Sequence, residues 1–438
     1  MNRNEELMEL RKELEESVPE VSDSIGKASR RKARKKFLYQ PLAGMTCLLA
    51  AFVLSVNLCT PIAEACSRIP LLKDLVKAVT FSKSLSTAVE NEYAQEMNLK
   101  QTKGDITVVI DYLIVDQKQV NVFYHFESEK YEKLIAHCGI LDENKEEMSE
   151  YSLVGGDYGL ENEELHCASI DFYKVDVPDK LCFQMDVMEF QERTGESFLA
   201  QFDFFLEYDP TFTEKGTVYP VNQSFVIDGQ TLIVTEIEVY PTHMRLNVKD
   251  VPENTAWFQR LEFYIENESG ERFFSGTHGV SAFGSSQKGD VVSYYADSPY
   301  FYEAEQLKLV VTGVAWLEKG KEDTWINLKT GETGPLPEGT TLKEIKTDEF
   351  GGIDLIFEQV HMGGDTHWAS LGHFGYDAEG NLYSFSVMTD VEKEPEDGEV
   401  GTVLESYFLE DFPDEKLWVK PQYTRRYRLD NPVVVEIK

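Results

Sequence analysis

From Phe37 to Ala63 the chain carries no charged residue, and the stretch FLYQPLAGMTCLLAAFVLSVNLCTPIA is mostly apolar. A helix needs about 20 residues to cross roughly 30 Å of hydrocarbon, and this run has 27. Pro41 falls at the inner end, where it costs a helix little, and Pro61 ends it at the far side, so Leu42 to Leu58 is read as the membrane-buried core. Lys27, Arg30, Arg31, Lys32, Arg34, Lys35 and Lys36 precede the run, whereas Glu64, Arg68, Lys73 and Asp74 behind it nearly balance. The positive-inside bias then puts the N-terminus in the cytoplasm and everything after Ala63 outside the cell membrane, with a single pass between them. A secretory signal peptide has a shorter basic start and a shorter apolar run. Ala63-Glu64-Ala65 and Cys66 match a cleavage or lipid-attachment site poorly, because of Glu64.

Charge divides at the same place. Residues 1–36 hold 10 Lys+Arg and 8 Asp+Glu, and those beyond Ala63 hold 32 and 70, a net of −38 within a whole-chain −36. An outer part this acidic repels a phosphate backbone, so no nucleic acid is expected as a partner.

The cytoplasmic segment 1–36 contains an apolar stripe, Leu7, Leu10, Leu14, Val18, Val21 and Ile25, at helical spacing. Asn4 before Glu5 and Glu6 suits a helix start, Arg11–Glu15 and Lys12–Glu16 are i,i+4 pairs, and Pro19 splits the stripe. So short a tail cannot bury the stripe on itself. Two readings follow: a docking helix for a cytoplasmic protein, or a solvated arm whose only task is the topogenic cluster Arg30, Arg31, Lys32, Arg34, Lys35 and Lys36. The segment holds no His or Cys, which excludes a zinc-bearing module.

Outside, Ile69, Leu72, Leu75, Val76 and Val79 form a second helical stripe within a membrane-proximal segment 64–98. Alternation at period two then takes over, as in Ile106, Val108, Ile110, Tyr112 and Ile114, followed by a polar turn and Val120, Val122, Tyr124 and Phe126. This is a hairpin pattern with one buried face. Three similar units follow one another. Gly104, Gly229 and Gly352 open apolar runs, Asp142, Asn267 and Asp377 stand in acidic turns, and Leu181, Leu307 and Leu417 start later strands. The third unit is shorter in its first half. Each unit has the proportions of an immunoglobulin-like sandwich, which predicts a mainly β chain: a cytoplasmic helix, one transmembrane helix, then tandem immunoglobulin-like β-sandwich domains at 99–213, 214–335 and 336–438. The breaks fall in DPTFTEKGTVY and KTGETGPLPEGT, both rich in linker residues.

The run Ala65-Cys66-Ser67-Arg68-Ile69-Pro70-Leu71-Leu72, with Lys77 to Ser82, Val89 to Tyr93 and Tyr112-Leu113-Ile114-Val115-Asp116-Gln117-Lys118, resembles bacterial single-pass membrane proteins of low-GC Gram-positive type that carry the domain of unknown function 4179. The similarity covers roughly residues 1–130, and the later units resemble the immunoglobulin-like domain that often follows. The resemblance implies an anti-sigma-factor or sensor role with a cytoplasmic sigma factor as partner. It carries no catalytic residues over to this chain.

Other constellations are weaker. His361, His367 and His373 invite a metal reading, but Gly363, Gly364 and Gly372 break the segment, so a hairpin with Trp368 and Phe374 facing the core is preferred. Ser285-Ser286-Gln287-Lys288 and Lys329-Thr330-Gly331 match two penicillin-recognising motifs without the middle element, and are read as chance. Among Cys138, Cys167 and Cys182 either one disulfide or buried thiols are consistent with the outer location. The acidic loop 392–399 lacks the alternating ligand order of a calcium site and is read as a solvated tip. The reading is a non-enzymatic membrane regulator, with no catalytic, metal or cofactor site, in contact with the lipid bilayer and an unidentified extracellular ligand. The alternative is a membrane-anchored binding or adhesion protein with a merely topogenic tail.

Overall fold

The computed structural model describes residues 70–438 apart from 156–159, 192–194, 211–212, 214, 276–281, 303, 349–350, 363–368, 391–399 and 411. The apolar run 37–63, the stripe Leu7 to Ile25 and the basic cluster lie outside the described residues. Among those described, no helix is long and apolar enough to cross a membrane. Two helices come first, α1 (Pro70–Ala78) and α2 (Lys83–Glu90). On the second stripe Leu75 and Val79 are buried, but Val76 is 46% exposed, so it lies off the packed side of α1. Ser82 caps α2 by accepting the Leu85 N–H.

The rest is antiparallel sheet, and the mainly β expectation holds. The first sheet pair uses β1 (Gln95–Lys103), β2 (Ile106–Val115), β3 (Gln119–Glu127), β4 (Lys133–Leu141), β5 (Tyr151–Val154), β6 (Leu160–Glu161), β7 (His166–Phe172), β8 (Lys180–Gln191) and β9 (Gly195–Glu207). The two orders are β1-β2-β3-β7-β5 and β6-β4-β8-β9. One core, with Val108, Val122, Phe126, Phe183 and Phe202, fills the space between them. The predicted hairpin is β2–β3, but β2 is buried on both faces and not on one. An immunoglobulin domain sets its second strand directly beside its fifth. Here β3 stands between β2 and β7, so the strand order is not that of an immunoglobulin domain.

The second pair repeats this plan with β10 (Thr217–Ile227), β11 (Gln230–Val239), β12 (Met244–Asp250), β13 (Ala256–Asn267), β14 (Arg272–Phe274), β15 (Ala282–Phe283), β16 (Val292–Ala296) and β17 (Leu307–Glu318). Its orders are β10-β11-β12-β16-β15 and β14-β13-β17, closed by a strand from the far end of the chain. Next come β18 (Thr324–Asn327), β19 (Thr340–Thr347), β20 (Ile353–Met362), β21 (Leu371–Tyr376), β22 (Leu382–Ser384), β23 (Ser386–Asp390), β24 (Val400–Leu409), β25 (Lys416–Pro421) and β26 (Arg425–Glu436). The third pair is β19-β20-β24-β23 facing β18-β25-β21-β22.

The repeat anchors occupy equivalent places. Gly104 and Gly229, both at positive φ, sit in the β1–β2 and β10–β11 turns, and Gly351 and Gly352 in the β19–β20 turn. Asp142, Asn267 and Asp377 each accept, on one side-chain oxygen, the backbone N–H two and four residues later. Short polar side chains hold tight turns in this way. Leu181, Leu307 and Leu417 begin or nearly begin β8, β17 and β25. A parallel not read from sequence is the bulge at Asn98 in β1 and Asn222 in β10, both at φ 51.

The last strand crosses over. In the first pair β9 follows β8 and pairs with it. In the second, β17 pairs not with the following β18 but with β26, from Lys308 opposite Glu436 to Trp316 opposite Arg425. Strand β18 instead joins β25. Length explains the choice: β17 and β26 have 12 residues each, β18 and β25 four and six. The third pair is thus inserted between two neighbouring strands of the second, and the sheets do not divide at the 335/336 break. Thr424 N–H and Oγ1 both bond Trp316 O, at 2.7 and 3.0 Å, and Arg425 pairs with Asp228 and Glu318.

Truncation after Thr424 is expected to unfold the second pair as well as loosen the third, because β26 and the core residue Val435 leave together. Excising 320–423 across a short turn is expected to leave the second pair folded. Urea unfolding followed by the emission of buried Trp316 checks both.

Candidate functional site

The polar turn between β2 and β3 is the start of a buried charge junction. Asp116 Oδ1 accepts the N–H groups of Lys118 and Gln119, both at 2.8 Å, which fixes the turn. Its Oδ2 accepts the Thr242 N–H at 3.0 Å and the Thr242 hydroxyl at 2.6 Å, from the turn between β11 and β12. Beyond Thr242 the strand alternates. Met244 and Leu246 enter the core of the second pair, so His243 and Arg245 point the other way. In β7, Ile170 and Phe172 enter the first core, and Asp171 faces outward to meet them.

Arg245 donates from one terminal nitrogen to Asp171 Oδ1 (3.1 Å), Asp171 Oδ2 (3.3 Å) and Phe172 O (3.0 Å). Tyr295 in β16 donates to Asp171 Oδ2 at 2.5 Å. Arg245 Nε donates to His243 Nε2 at 3.2 Å, which leaves the ring proton on Nδ1, 3.0 Å from Thr242 Oγ1. Bonds therefore run unbroken from Asp171 through Arg245, His243 and Thr242 to Asp116. The rings of Tyr240 and Tyr295 stack on the two sides of His243 with centroids 5.0 and 5.5 Å away. Asp116, Asp171 and His243 are fully buried and Arg245 is 2% exposed.

Burial alone would push the Asp116 carboxyl up. The adjacent His243 and the hydrogen bonds from Thr242 and the Lys118 N–H outweigh it and hold the group below the ordinary carboxylate range. Burial likewise disfavours the Arg245 charge, and Asp171 overrides it to raise that group. Burial and the neighbouring carboxylates, Glu238 for Tyr240 and Asp171 for Tyr295, push both phenols up, so they remain donors. Arg245 and Tyr295 spend their bonds on Asp171, and Asp116 spends its own on Thr242 and the turn it closes. The site is built to hold two sheet pairs in one orientation.

Helix α2 is also seated on the second pair. Ser84 N–H and Oγ lie 3.3 Å from Asp297 Oδ1, and Ser298 N–H donates to Ser84 Oγ at 2.7 Å. Lys83 pairs with Glu271, donates to Arg272 O at 2.9 Å and lies over the Phe273 ring. Ser298 Oγ in turn donates to Tyr240 O. Tyr173 stacks on Phe283 at 4.1 Å and Gly216 N–H donates to Gln117 Oε1, adding contacts between the pairs.

The sequence-read candidates fall elsewhere. His373 is exposed, and so is Phe374 at 56%, which corrects its placement in the core: it alternates with the inward Gly375. His361 and His367 side chains, Trp368 and the loop 392–399 lie outside the described residues. No disulfide joins Cys138, Cys167 and Cys182, and burial pushes Cys167 up to about 12. Ser286 is buried and donates to Phe258 O at 2.6 Å, and Lys329 pairs with Glu415 in a hairpin turn, so neither motif assembles a nucleophile. No sequence motif announces the junction, since its partners lie 74 and 126 residues apart. In sequence His243 and Arg245 look like the polar side of an ordinary alternating strand, which continues with Asn247 and Lys249.

Residues 32–128 match the Domain of unknown function (DUF4179) and residues 216–346 the Family of unknown function (DUF5643). The resemblance drawn from the runs Ala65–Leu72 and Tyr112–Lys118 therefore holds. No curated protein matches the chain. Among solved structures, a conserved domain protein from Bacillus anthracis is 15% identical with a TM-score of 0.38, over 55% of this chain and 84% of that one.

Arg245→Ala is expected to cost about 3–5 kcal/mol, since it strands buried Asp171. The lowered Asp116 contributes stability that is complete above the unfolded value of about 3.9 and is lost as pH falls through the folded value. Asp116→Asn should therefore lower the urea midpoint at neutral pH and flatten its fall between about pH 5 and about pH 2; an unchanged acid limb would refute the assignment.

Proposed function

We propose that the chain is a non-enzymatic, single-pass membrane regulator of anti-sigma or sensor type, with its β sheets outside the cell and the stripe Leu7 to Ile25 docking a cytoplasmic sigma factor. The observation that carries the reading is the extent of the 32–128 match. It starts in the basic cluster, takes in the whole uncharged run and continues without interruption into β3. The family's segment thus joins a membrane-length apolar run to the sheet pair that carries Asp116.

The seating of α2 supports the same reading. This helix belongs to the 32–128 segment, yet its polar contacts are to Glu271, Arg272, Asp297 and Ser298 in the 216–346 segment. A perturbation of the second pair reaches the element that leads back toward the apolar run through packed and bonded groups. Coupling along such a path is an expected property of a sensor, to be tested by exchange or double-mutant measurements.

The expected outcome is that an N-terminal tag is protected from protease in intact spheroplasts while the sheets are digested. The full-length chain should also co-purify with an extracytoplasmic-function sigma factor. Joint replacement of Leu7, Leu10 and Leu14 by Ser should abolish that co-purification without changing display of the outer sheets. An accessible tag, or no sigma factor recovered with either chain, rejects the proposal; display without any cytoplasmic partner is what an anchored binding protein would give.

A further inference from the structure

The outer face of the third pair carries an aromatic row. Trp325 in β18 is opposite Trp418 in β25, Trp418 is opposite Tyr376 in β21, and Tyr376 is opposite Leu382 in β22. Four strands at about 4.8 Å spacing make the row about 14 Å long. The alternate residues Ile326, Leu417 and Gly375 point into the core, so the row faces out. Leu382 is 71% exposed and neighbouring Phe374 56%, so the row is flanked by open apolar surface. The Tyr376 and Trp418 rings are nearly parallel, at 15°, with centroids 6.5 Å apart.

Charge selects the occupant. The Lys416 ammonium is held over both tryptophans, 4.2 Å from one centroid and 4.4 Å from the other. Lys420, two residues beyond Trp418 on the same face, is exposed. Asp323, a carboxylate at the rim, accepts the Tyr376 hydroxyl at 2.5 Å. The four strands of this sheet thus carry Lys416 and Lys420 and no carboxylate, while Asp323 and Glu415 stand at strand starts, Glu415 paired with Lys329; acidic groups farther away are screened beyond a Debye length of about 10 Å at 0.1 M salt. Flat aromatic rings stack against the C–H faces of pyranose rings, and fixed ammonium groups pair with carboxylates.

We propose that this face binds an acidic polysaccharide whose pyranose rings carry carboxylates, the sugars lying on Trp325, Trp418 and Tyr376 and the carboxylates on Lys416 and Lys420. The inference rests on the outward placement proposed above only for its setting in the cell; binding by the purified chain does not depend on it. A polymer of phosphates without sugar rings offers nothing to stack, and a neutral glucan leaves the ammonium groups unanswered.

The test is retention of the purified full-length chain on immobilised polygalacturonate, with dextran and poly(glycerol phosphate) as comparison matrices. Retention is expected on the first, weakened at least about tenfold by Trp418→Ala and by Lys416→Gln with Lys420→Gln, and at least about tenfold weaker on the other two. Trp418 is half-buried, so Phe374→Ser with Leu382→Ser, at exposed positions, serves as a second variant with an unchanged melting temperature required. No retention on polygalacturonate, equal retention on poly(glycerol phosphate), or retention untouched by all three variants would overturn the proposal. So would a concentration-dependent dimer that Leu382→Ser dissolves, since the face would then be covered by a second copy. Each of these outcomes leaves the topology and sigma-factor experiments to stand or fall by themselves.

Discussion

Asp171 is buried in the first sheet pair and receives Arg245 and Tyr295 from the second. An isolated carboxylate there would be costly, and so would an isolated guanidinium, so each pair needs the other in one orientation. Such a junction adds little net stability compared with apolar packing. Its value lies in direction: Asp116 at one end and Asp171 at the other fix two points, which excludes rotation of one pair against the other. Through Tyr240, whose ring stacks on His243 and whose carbonyl accepts Ser298, the same network reaches the serine that holds α2.

Much of the β organisation was legible in the sequence because it depends on local chemistry. Gly104 and Gly229 mark turns that need positive φ, and Asp142, Asn267 and Asp377 mark turns that a short side chain closes on itself. These anchors recur at corresponding places because each is decided within a few residues. The crossing of β26 to β17 was not legible. It follows from matching strand lengths across an insertion of about a hundred residues, and alternation within a strand says which face is buried but not which neighbour it meets.

The charge junction was illegible for a related reason. His243 and Arg245 stand in an apolar alternation at places that a half-buried sheet would leave to solvent. Only the second sheet pair brought against the first turns those places into an interior. Phe374 misled in the opposite sense: its apolar side chain reads as core, and its partner Gly375 is the inward residue. Both errors arise where a sheet face that pattern alone calls solvated has another role, closed by a neighbouring sheet in one case and left open with an aromatic row in the other.

Bonded through Ser298 and Tyr240, the junction and the seat of α2 are expected to loosen together. Hydrogen exchange at the backbone amides of α2 in the full-length chain carrying Arg245→Met measures that coupling. Faster exchange is expected at Leu85 and Asn91 together with loss of protection around Thr242, while the cores of both sheet pairs stay protected. Unchanged exchange in α2 beside a loosened Thr242 turn would contradict it, and would reduce the junction to a local contact between two sheets.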